Sequence, residues 1–193
     1  MRIRVGHVSM QFSDTPKQHT QDVNKIFARA QRRRIAWITG TEAGPGSGRL
    51  GNKIVSVARQ NGYRAWVPSV QSEGRGQHTD SWVAVRESFI GTDWKRGYIP
   101  AIPGSGSLED ESMNPDKKRW APKGLAHVSF KAANPELGQI SIGSAHYLTG
   151  GKSPNSPYSK MNQKLAEVIG EWATEQGKGP ALVFYGGDQN MND

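Results

Sequence analysis

The sequence has 193 residues, which suffices for one good-sized domain with a buried core. It contains no cysteine, which excludes a disulfide framework and a thiolate metal site, and no apolar run of the roughly 18 residues that a membrane-spanning helix needs. The formal net charge of +8 favours a polyanionic partner such as nucleic acid, because Lys and Arg release counterions condensed on phosphates.

The chain begins with a strand rather than a signal peptide, so we expect a cytoplasmic protein without a membrane partner. Residues 2–12 alternate between apolar and polar side chains, and the alternation changes phase at Gly6-His7, which predicts a β-bulge. After this change, Ser9 and Gln11 share one strand face with His7.

A β-α-β-α-β arrangement is predicted for residues 2–68. Its first helix ends in arginines at positions 29 and 32–34, which we interpret as a solvated helix end, with contact to nucleic acid as the alternative. A buried strand at 35–38 leads through Thr39-Gly-Thr41 to Glu42, and a second helix is predicted for about 52–61. The glycine-rich stretch before that helix lacks the Gly-Lys-Ser/Thr sequence of a Walker phosphate-binding loop.

The middle of the chain predicts a polar loop at 69–80, a strand at 81–86 and another at 98–102. A long polar segment follows at 103–123. Within it, basic and aromatic residues alternate in a way that suits phosphate contact and base stacking, although a surface loop without function has the same composition. These candidate substrate-binding residues are Lys117, Lys118, Arg119 and Trp120.

The last third of the chain predicts a hairpin, a helix and a buried strand. The hairpin strands lie at 125–131 and 138–142 with a turn at Asn134-Pro135, and the second strand is predicted to continue through His146 to Leu148. Ser159 is the expected cap of a helix with an apolar stripe that ends at Gly177. The final strand at 181–185 leaves through two glycines to Asp188 and Asn190.

Potential catalytic groups therefore end three predicted strands: Glu42, His146, and Asp188 with Asn190. Two acids can hold a hard divalent cation through oxygen ligands, and a histidine can stabilise or protonate a phosphoryl oxygen. An amide beside an acid can orient an attacking water. Such groups meet where strands end at one edge of a sheet.

These motifs resemble those of the endonuclease/exonuclease/phosphatase superfamily with the DNase I-like fold. The segment Ile38-Thr-Gly-Thr-Glu42 is similar to its Gln-Glu motif, with Thr in place of Gln. The segment Ser144-Ala-His-Tyr-Leu148 is similar to Thr-His-Leu, and Gly187-Asp-Gln-Asn190 matches Gly-Asp-x-Asn. The resemblance implies an α/β fold, a two-sheet mixed β-sandwich flanked by helices, formed by residues 1–193 as a single domain.

The resemblance also implies roles for individual residues. Glu42 would be the ligand of Mg²⁺ or Mn²⁺, with Ser9 or Gln11 as further candidates near the position of the family's first-strand Asn. His146 would stabilise the phosphate, and Asp188 and Asn190 would position the attacking water. The implied function is a divalent-metal-dependent phosphodiesterase, most simply a nuclease acting on DNA or RNA.

The family's closing Ser-Asp-His motif, which supplies the histidine that activates water, does not follow in this sequence. We therefore expect either a C-terminally truncated fragment or a protein that lacks this general base. Two alternatives to the nuclease stay open: a nucleic-acid-binding or assembly module without catalysis on the same fold, and a phosphoesterase for small molecules.

Overall fold

The computed structural model describes residues 2–10, 16–41, 48–72, 75–78, 81–101, 123–147, 156–179 and 181–188, with the backbone alone at 16–20, 48–49, 69–72, 75–78, 157–158 and 188. The strands are β1 (Val5–Ser9), β2 (Trp37–Thr41), β3 (Tyr63–Trp66), β4 (Ser69–Ser72), β5 (Arg75–His78), β6 (Ser81–Arg86), β7 (Lys95–Pro100), β8 (Gly124–Lys131), β9 (Gln139–His146) and β10 (Ala181–Asp188). The helices are α1 (Pro16–Arg32), α2 (Gly48–Gln60) and α3 (Pro157–Gln176).

Two four-stranded sheets pack face to face, which confirms the predicted two-sheet mixed sandwich. The first sheet has the order β1-β2-β6-β3 and the second β10-β9-β8-β7, while β4 and β5 form a separate hairpin. Strands β1 and β2 are parallel, as are β9 and β10, and the remaining pairs are antiparallel. Strand β2 packs across the sandwich against β9 and β10. No helix in the described ranges is long and apolar enough to cross a membrane.

Apolar side chains form three layers of core. The core between the two sheets contains Trp37 and Val85 from the first sheet, and Phe130 and Ile142 from the second. A second core lies between the first sheet and helices α1 and α2, and a third lies between the second sheet and α3. Each sheet is therefore buried on both faces, with helices on the outside.

The strand β1 has no bulge, contrary to the expectation from its pattern. Its register with β2 runs without interruption from Val5 to Ser9. The apparent change of phase arises because apolar residues before and within the strand pack on opposite sides of the sheet, while Val5 between them is exposed. Ile3 packs into the core between the sheets, whereas Val8 and Met10 pack against the core beneath the helices.

Several element boundaries differ from the predicted ones. Helix α2 begins at Gly48 rather than near residue 52, and the predicted polar loop at 69–80 contains the β4–β5 hairpin, whose polar sequence gave no strand signal. The N-cap of α3 is Ser156, whose Oγ accepts a hydrogen bond from the backbone N–H of Ser159, so the cap predicted at Ser159 is wrong. Strand β10 continues through both glycines to Asp188.

The strands give the sandwich two distinct ends. The C-terminal ends of β1, β2, β9 and β10 lie together, because Trp37 packs on Phe184 and Thr39 lies against Gly186, two residues further along each strand. We call this the upper end. The C-terminus of α1 and the first residues of β1, β2, β9 and β10 lie at the lower end.

Close approach of the sheets near the upper end requires glycine at position 186. A Cβ atom there would overlap Oγ1 of Thr39 on the facing sheet. We predict that Gly186→Ala lowers the free energy of unfolding by about 1–3 kcal/mol, the usual cost of overpacking, as measured by urea denaturation. Gly170→Ala is the matched control: a Cβ there meets nothing within 4 Å on helix α3. It should stabilise by up to about 1 kcal/mol. Equal stability of Gly186→Ala and wild type would contradict the close approach.

His127 makes stability depend on pH. Its half-buried ring lies 6.0 Å from the ring of Trp172, and burial lowers the pKa of His127 from its ordinary value of 6.5. The unfolded chain therefore takes up the proton at a higher pH than the folded chain. This stabilising contribution is complete above about pH 6.5 and is lost as the pH falls through the lowered pKa. We predict that the urea midpoint drops less between about pH 7 and pH 5 in His127→Gln than in wild type. An equal drop in both proteins would refute this assignment.

Candidate functional site

Four polar residues lie at the strand ends that form the upper end of the sandwich. His146 is the last residue of β9 and pairs in register with Asp188, the last residue of β10. Ser9, the last residue of β1, pairs with Thr41, the last residue of β2. The structure thus brings together the backbone positions of Ser9, His146 and Asp188, three of the residues predicted from the sequence.

A buried lysine contacts the predicted catalytic histidine. Nζ of Lys123 lies 3.0 Å from Nδ1 of His146, and the two residues are only 7% and 8% exposed. An ammonium group has only donors, so Nδ1 of the imidazole is the acceptor in this contact. The proton of the neutral ring then sits on Nε2, which makes that nitrogen a donor. The contact with Lys123 therefore favours the tautomer of His146 that carries its proton on Nε2.

A hydrogen bond and a glycine contact join the two sheets just below His146. Oγ of Ser144 donates to the carbonyl oxygen of Gly40 on the facing sheet at 3.0 Å, in a buried position. Gly186 packs against Oγ1 of Thr39 on the facing sheet, and within that sheet the same hydroxyl lies 3.0 Å from Nδ1 of His7. These contacts hold the strand that ends in His146 at a fixed distance from the strand that leads to Glu42.

Thr41 places a buried hydroxyl at the same end. Its side chain is fully buried, and Oγ1 has no hydrogen-bond partner within the described part of the chain. A buried hydroxyl usually has a partner, since an unsatisfied one costs about 1–3 kcal/mol. Thr41 directly precedes Glu42, so this oxygen adds to the polar character of the predicted metal site.

The remaining predicted site residues lie outside the described residues. These are Gln11, Glu42, Lys117, Lys118, Arg119, Trp120 and Asn190. The backbone of Asp188 is described without its side chain. Among the described residues, no group of three or more His, Asp or Glu could hold a metal ion. The metal assignments therefore stay predictions.

Lys123 was missed by the sequence interpretation, which assigned it to the end of a long polar segment. The available signal was its position, because it stands directly before the buried strand β8. Its contact with His146 spans 23 residues of sequence and depends on the pairing of β8 with β9. The position of a single lysine before a strand does not show which residue of the neighbouring strand it will contact.

Two other features do not contribute to this site. Tyr147, the next residue after His146, packs into the core beneath α3, and burial raises the pKa of its hydroxyl. A cavity of about 720 Å³ includes Gln139 and Ala181 in its lining. These are the first residues of β9 and β10, so the cavity lies at the lower end, away from His146.

The chain is similar to several solved structures at low sequence identity. One is an endonuclease/exonuclease/phosphatase family protein from Bacteroides thetaiotaomicron, with a TM-score of 0.65, 14% identity, and coverage of 97% of this chain and 61% of that chain. Another is a mannosyl-6-phosphatase from Bacteroides thetaiotaomicron VPI-5482, with a TM-score of 0.66, 14% identity, and coverage of 97% and 65%. A third is D. rerio TDP2 complexed with a single-strand DNA product, with a TM-score of 0.59, 11% identity, and coverage of 97% and 60%.

The aligned region spans less than two thirds of the length of each of these three structures. No protein-family model and no curated protein matches the sequence. The similarity is therefore one of architecture, and it agrees with the two sheets and the flanking helices described above. The chain has the DNase I-like fold of the endonuclease/exonuclease/phosphatase superfamily.

Proposed function

We propose that the chain is a divalent-metal-dependent phosphodiesterase, and specifically a nuclease that hydrolyses DNA or RNA. The observation that carries this proposal is the buried contact of Lys123 with His146, at the strand end that pairs in register with Asp188. The fold supports the proposal, because the structural neighbours include a mannosyl-6-phosphatase and a TDP2 bound to a DNA product.

The contact between Lys123 and His146 suits stabilisation of a phosphoryl group. With Nδ1 of His146 accepting from Lys123, the Nε2–H group can donate to a phosphoryl oxygen. The ammonium group adds positive charge beside the ring where negative charge develops in the transition state. In a buried site such preorganised charges act more strongly than in water.

We infer from the spacing across the sandwich that Asp188 and Glu42 act at the same site. Trp37 packs on Phe184 with ring centroids 4.5 Å apart, and Thr39 meets Gly186 two residues later on each strand. Two residues further along, β2 ends at Thr41 and β10 ends at Asp188. Since Glu42 directly follows Thr41 in the sequence, we propose that Asp188 acts together with Glu42, and that Asp188 and Asn190 position the attacking water.

The residues at the upper end fit a hard divalent cation. Glu42 and Asp188 supply carboxylates, Ser9 or Gln11 supplies a neutral oxygen, and Thr41 has a buried hydroxyl without a partner in the described part of the chain. Oxygen donors of this kind suit Mg²⁺ or Mn²⁺. We propose Glu42 as the principal ligand. A bound cation would neutralise negative charge on the phosphoryl oxygens.

Nucleic acid is the substrate that the charge of the chain favours. A net charge of +8 attracts a polyanion more strongly than it attracts a single phosphate group. The similarity to a mannosyl-6-phosphatase favours a second candidate, the hydrolysis of small phosphate esters at the same site. Both candidates use the same residues, so measured rates must separate them.

Nicking of supercoiled plasmid tests the site. We expect nicking in Mg²⁺, none in EDTA, and a loss of about 100-fold or more in Asp188→Asn and in His146→Gln, the usual cost of removing one transition-state contact. Asp22→Asn is the matched control, because its partly exposed carboxylate pairs with Lys25 on α1, and it should keep full activity. Wild-type activity in Asp188→Asn would rule out this site. Faster hydrolysis of mannose 6-phosphate than of DNA would select the second candidate.

The lysine next to His146 has a separate test. We predict that Lys123→Met lowers kcat by about 10- to 100-fold with little change in KM, because the ammonium acts on the transition state. Lys123→Arg should recover part of the loss by restoring a cation. Lys131→Met, at the other end of β8 and exposed, should leave kcat unchanged. Urea midpoints measured alongside distinguish unfolding from a catalytic effect, and unchanged kcat in Lys123→Met would refute the role of the contact.

A further inference from the structure

Six arginines form an exposed cluster at the lower end of the sandwich. Two of them precede β1, two lie in the last turn of α1, and two follow directly after that helix. We call this cluster the basal arginine patch. Its members are Arg2, Arg4, Arg29, Arg32, Arg33 and Arg34, and every one of them is exposed.

The patch has no acidic counterpart within the described residues. The ion pairs found there join other cations, such as Lys25 with Asp22 and Arg64 with Glu87. The one hydrogen bond from a patch side chain runs from Arg4 to the backbone carbonyl of Arg33 at 3.1 Å. This bond ties the chain before β1 to the end of α1. The positive charge of the patch is thus concentrated without being neutralised.

The arrangement of the patch works against the stability of the fold. Arg29 lies three and four residues before Arg32 and Arg33, the spacing at which like charges on a helix repel. Arg34 has a φ of 53°, in the left-handed region. It ends the helix in a Schellman motif, with Arg34 N–H bonded to Gln31 and Ile35 N–H bonded to Ala30. Glycine is the usual residue at that position because it avoids the strain.

Capping of α1 does not explain the patch. Cations commonly collect at a helix C-terminus to satisfy its carbonyl oxygens. Here Arg86, the last residue of β6, satisfies these carbonyls instead. Its guanidinium donates to the carbonyl oxygens of Ala30, Gln31 and Ile35. Apart from Arg4, which donates to the carbonyl of Arg33, the arginines of the patch make no side-chain hydrogen bond or ion pair within the described residues, so the fold does not require their charge.

The patch is distant from the proposed active site. Arg4 precedes Ser9 by five residues of nearly extended chain, which corresponds to about 17 Å at roughly 3.3 Å per residue. The C-terminal end of α1 and the end of β9 that carries His146 lie at opposite ends of the sandwich. A ligand of the patch is therefore not the phosphate group at the active site.

We propose that the basal arginine patch binds the phosphodiester backbone of a nucleic acid. Guanidinium groups present planar pairs of donors that match phosphate oxygens, and a cluster of them suits a linear array of phosphates. An acidic membrane surface fits less well. The exposed large apolar side chains among the described residues are Val5, Val55 and Leu182, which are single residues on β1, α2 and β10 and do not form the continuous apolar face that lipid insertion needs. The proposal goes beyond the nuclease function, because this binding needs no hydrolysis.

Salt-dependent binding of a fluorescent duplex of about 20 bp, measured by anisotropy in EDTA, tests the patch. Each phosphate contact contributes about 0.9 to the slope of log K against log salt, so Arg29→Gln/Arg32→Gln/Arg33→Gln should reduce the slope by about 2.7. The matched control Lys95→Gln/Lys164→Gln/Lys178→Gln removes the same charge from other exposed positions and should change the slope little. Equal reductions in both triple variants, or none in the first, would overturn the proposal.

Arg34→Gly separates binding from folding. This variant removes one guanidinium but relieves the left-handed strain, so we expect a higher Tm together with a slope reduced by about 0.9. Unchanged binding in both Arg34→Gly and the triple variant would reject the patch as a binding surface. Sedimentation with phosphatidylserine vesicles completes the test. If the triple variant lost vesicle binding but kept its DNA binding, the ligand class would be wrong.

The DNA-binding test of the basal arginine patch is independent of whether the nuclease proposal holds. Asp188→Asn should bind the duplex in EDTA as tightly as wild type, since Asp188 lies at the upper end and the patch at the lower end. Loss of nicking with retained salt-dependent binding would leave the patch intact. Full nicking activity with no effect of the patch variants on binding would reject the patch alone.

Discussion

The close contact between the two sheets near their upper end is the constraint on which the rest of the site depends. Gly186 allows β10 to lie against Thr39, and the hydroxyl of Ser144 bonds to the carbonyl of Gly40. A buried hydrogen bond of this kind contributes about 1 kcal/mol net, but leaving its groups unpaired would cost about 1–3 kcal/mol. The contact therefore fixes the distance between the strand that ends in His146 and the strand that leads to Glu42.

The interior of the sandwich changes from aromatic to polar along its length. At the lower end Trp37 packs on Phe184, whereas two residues further up the facing pair is Thr39 and Gly186. Lys123 and His146 are also buried rather than exposed to solvent. Charges act more strongly where water is excluded, so this burial would strengthen the electrostatic effect of the pair in the proposed site.

The sequence pattern predicted the elements whose burial is one-sided or strongly periodic. The apolar stripe of α3 and the turn at Asn134 were both found where the pattern put them. The pattern failed where tertiary contacts decide the outcome. Ile3 before β1 and Val8 within it pack into different cores, which made the alternation resemble a bulge. The β4–β5 hairpin is held by backbone pairing among mostly polar residues. The contact of Lys123 with His146 depends on strand pairing that the sequence does not display.

The two ends of the sandwich use positive charge in different ways, and this difference bears on substrate choice. Lys123 is buried against His146, so in the proposed mechanism its charge would act on a single phosphate group. The arginines of the lower end are exposed and spread over α1 and the chain before β1, so in the proposed binding mode they would contact an extended polyanion. The nearly extended chain from Arg4 at the lower end to Ser9 at the upper end is about 17 Å long. This length corresponds to about five phosphates at roughly 3.4 Å along a strand of duplex. A small phosphate ester cannot reach both ends, whereas a nucleic acid can, and the patch would then favour long substrates by their binding rather than by the rate of the chemical step.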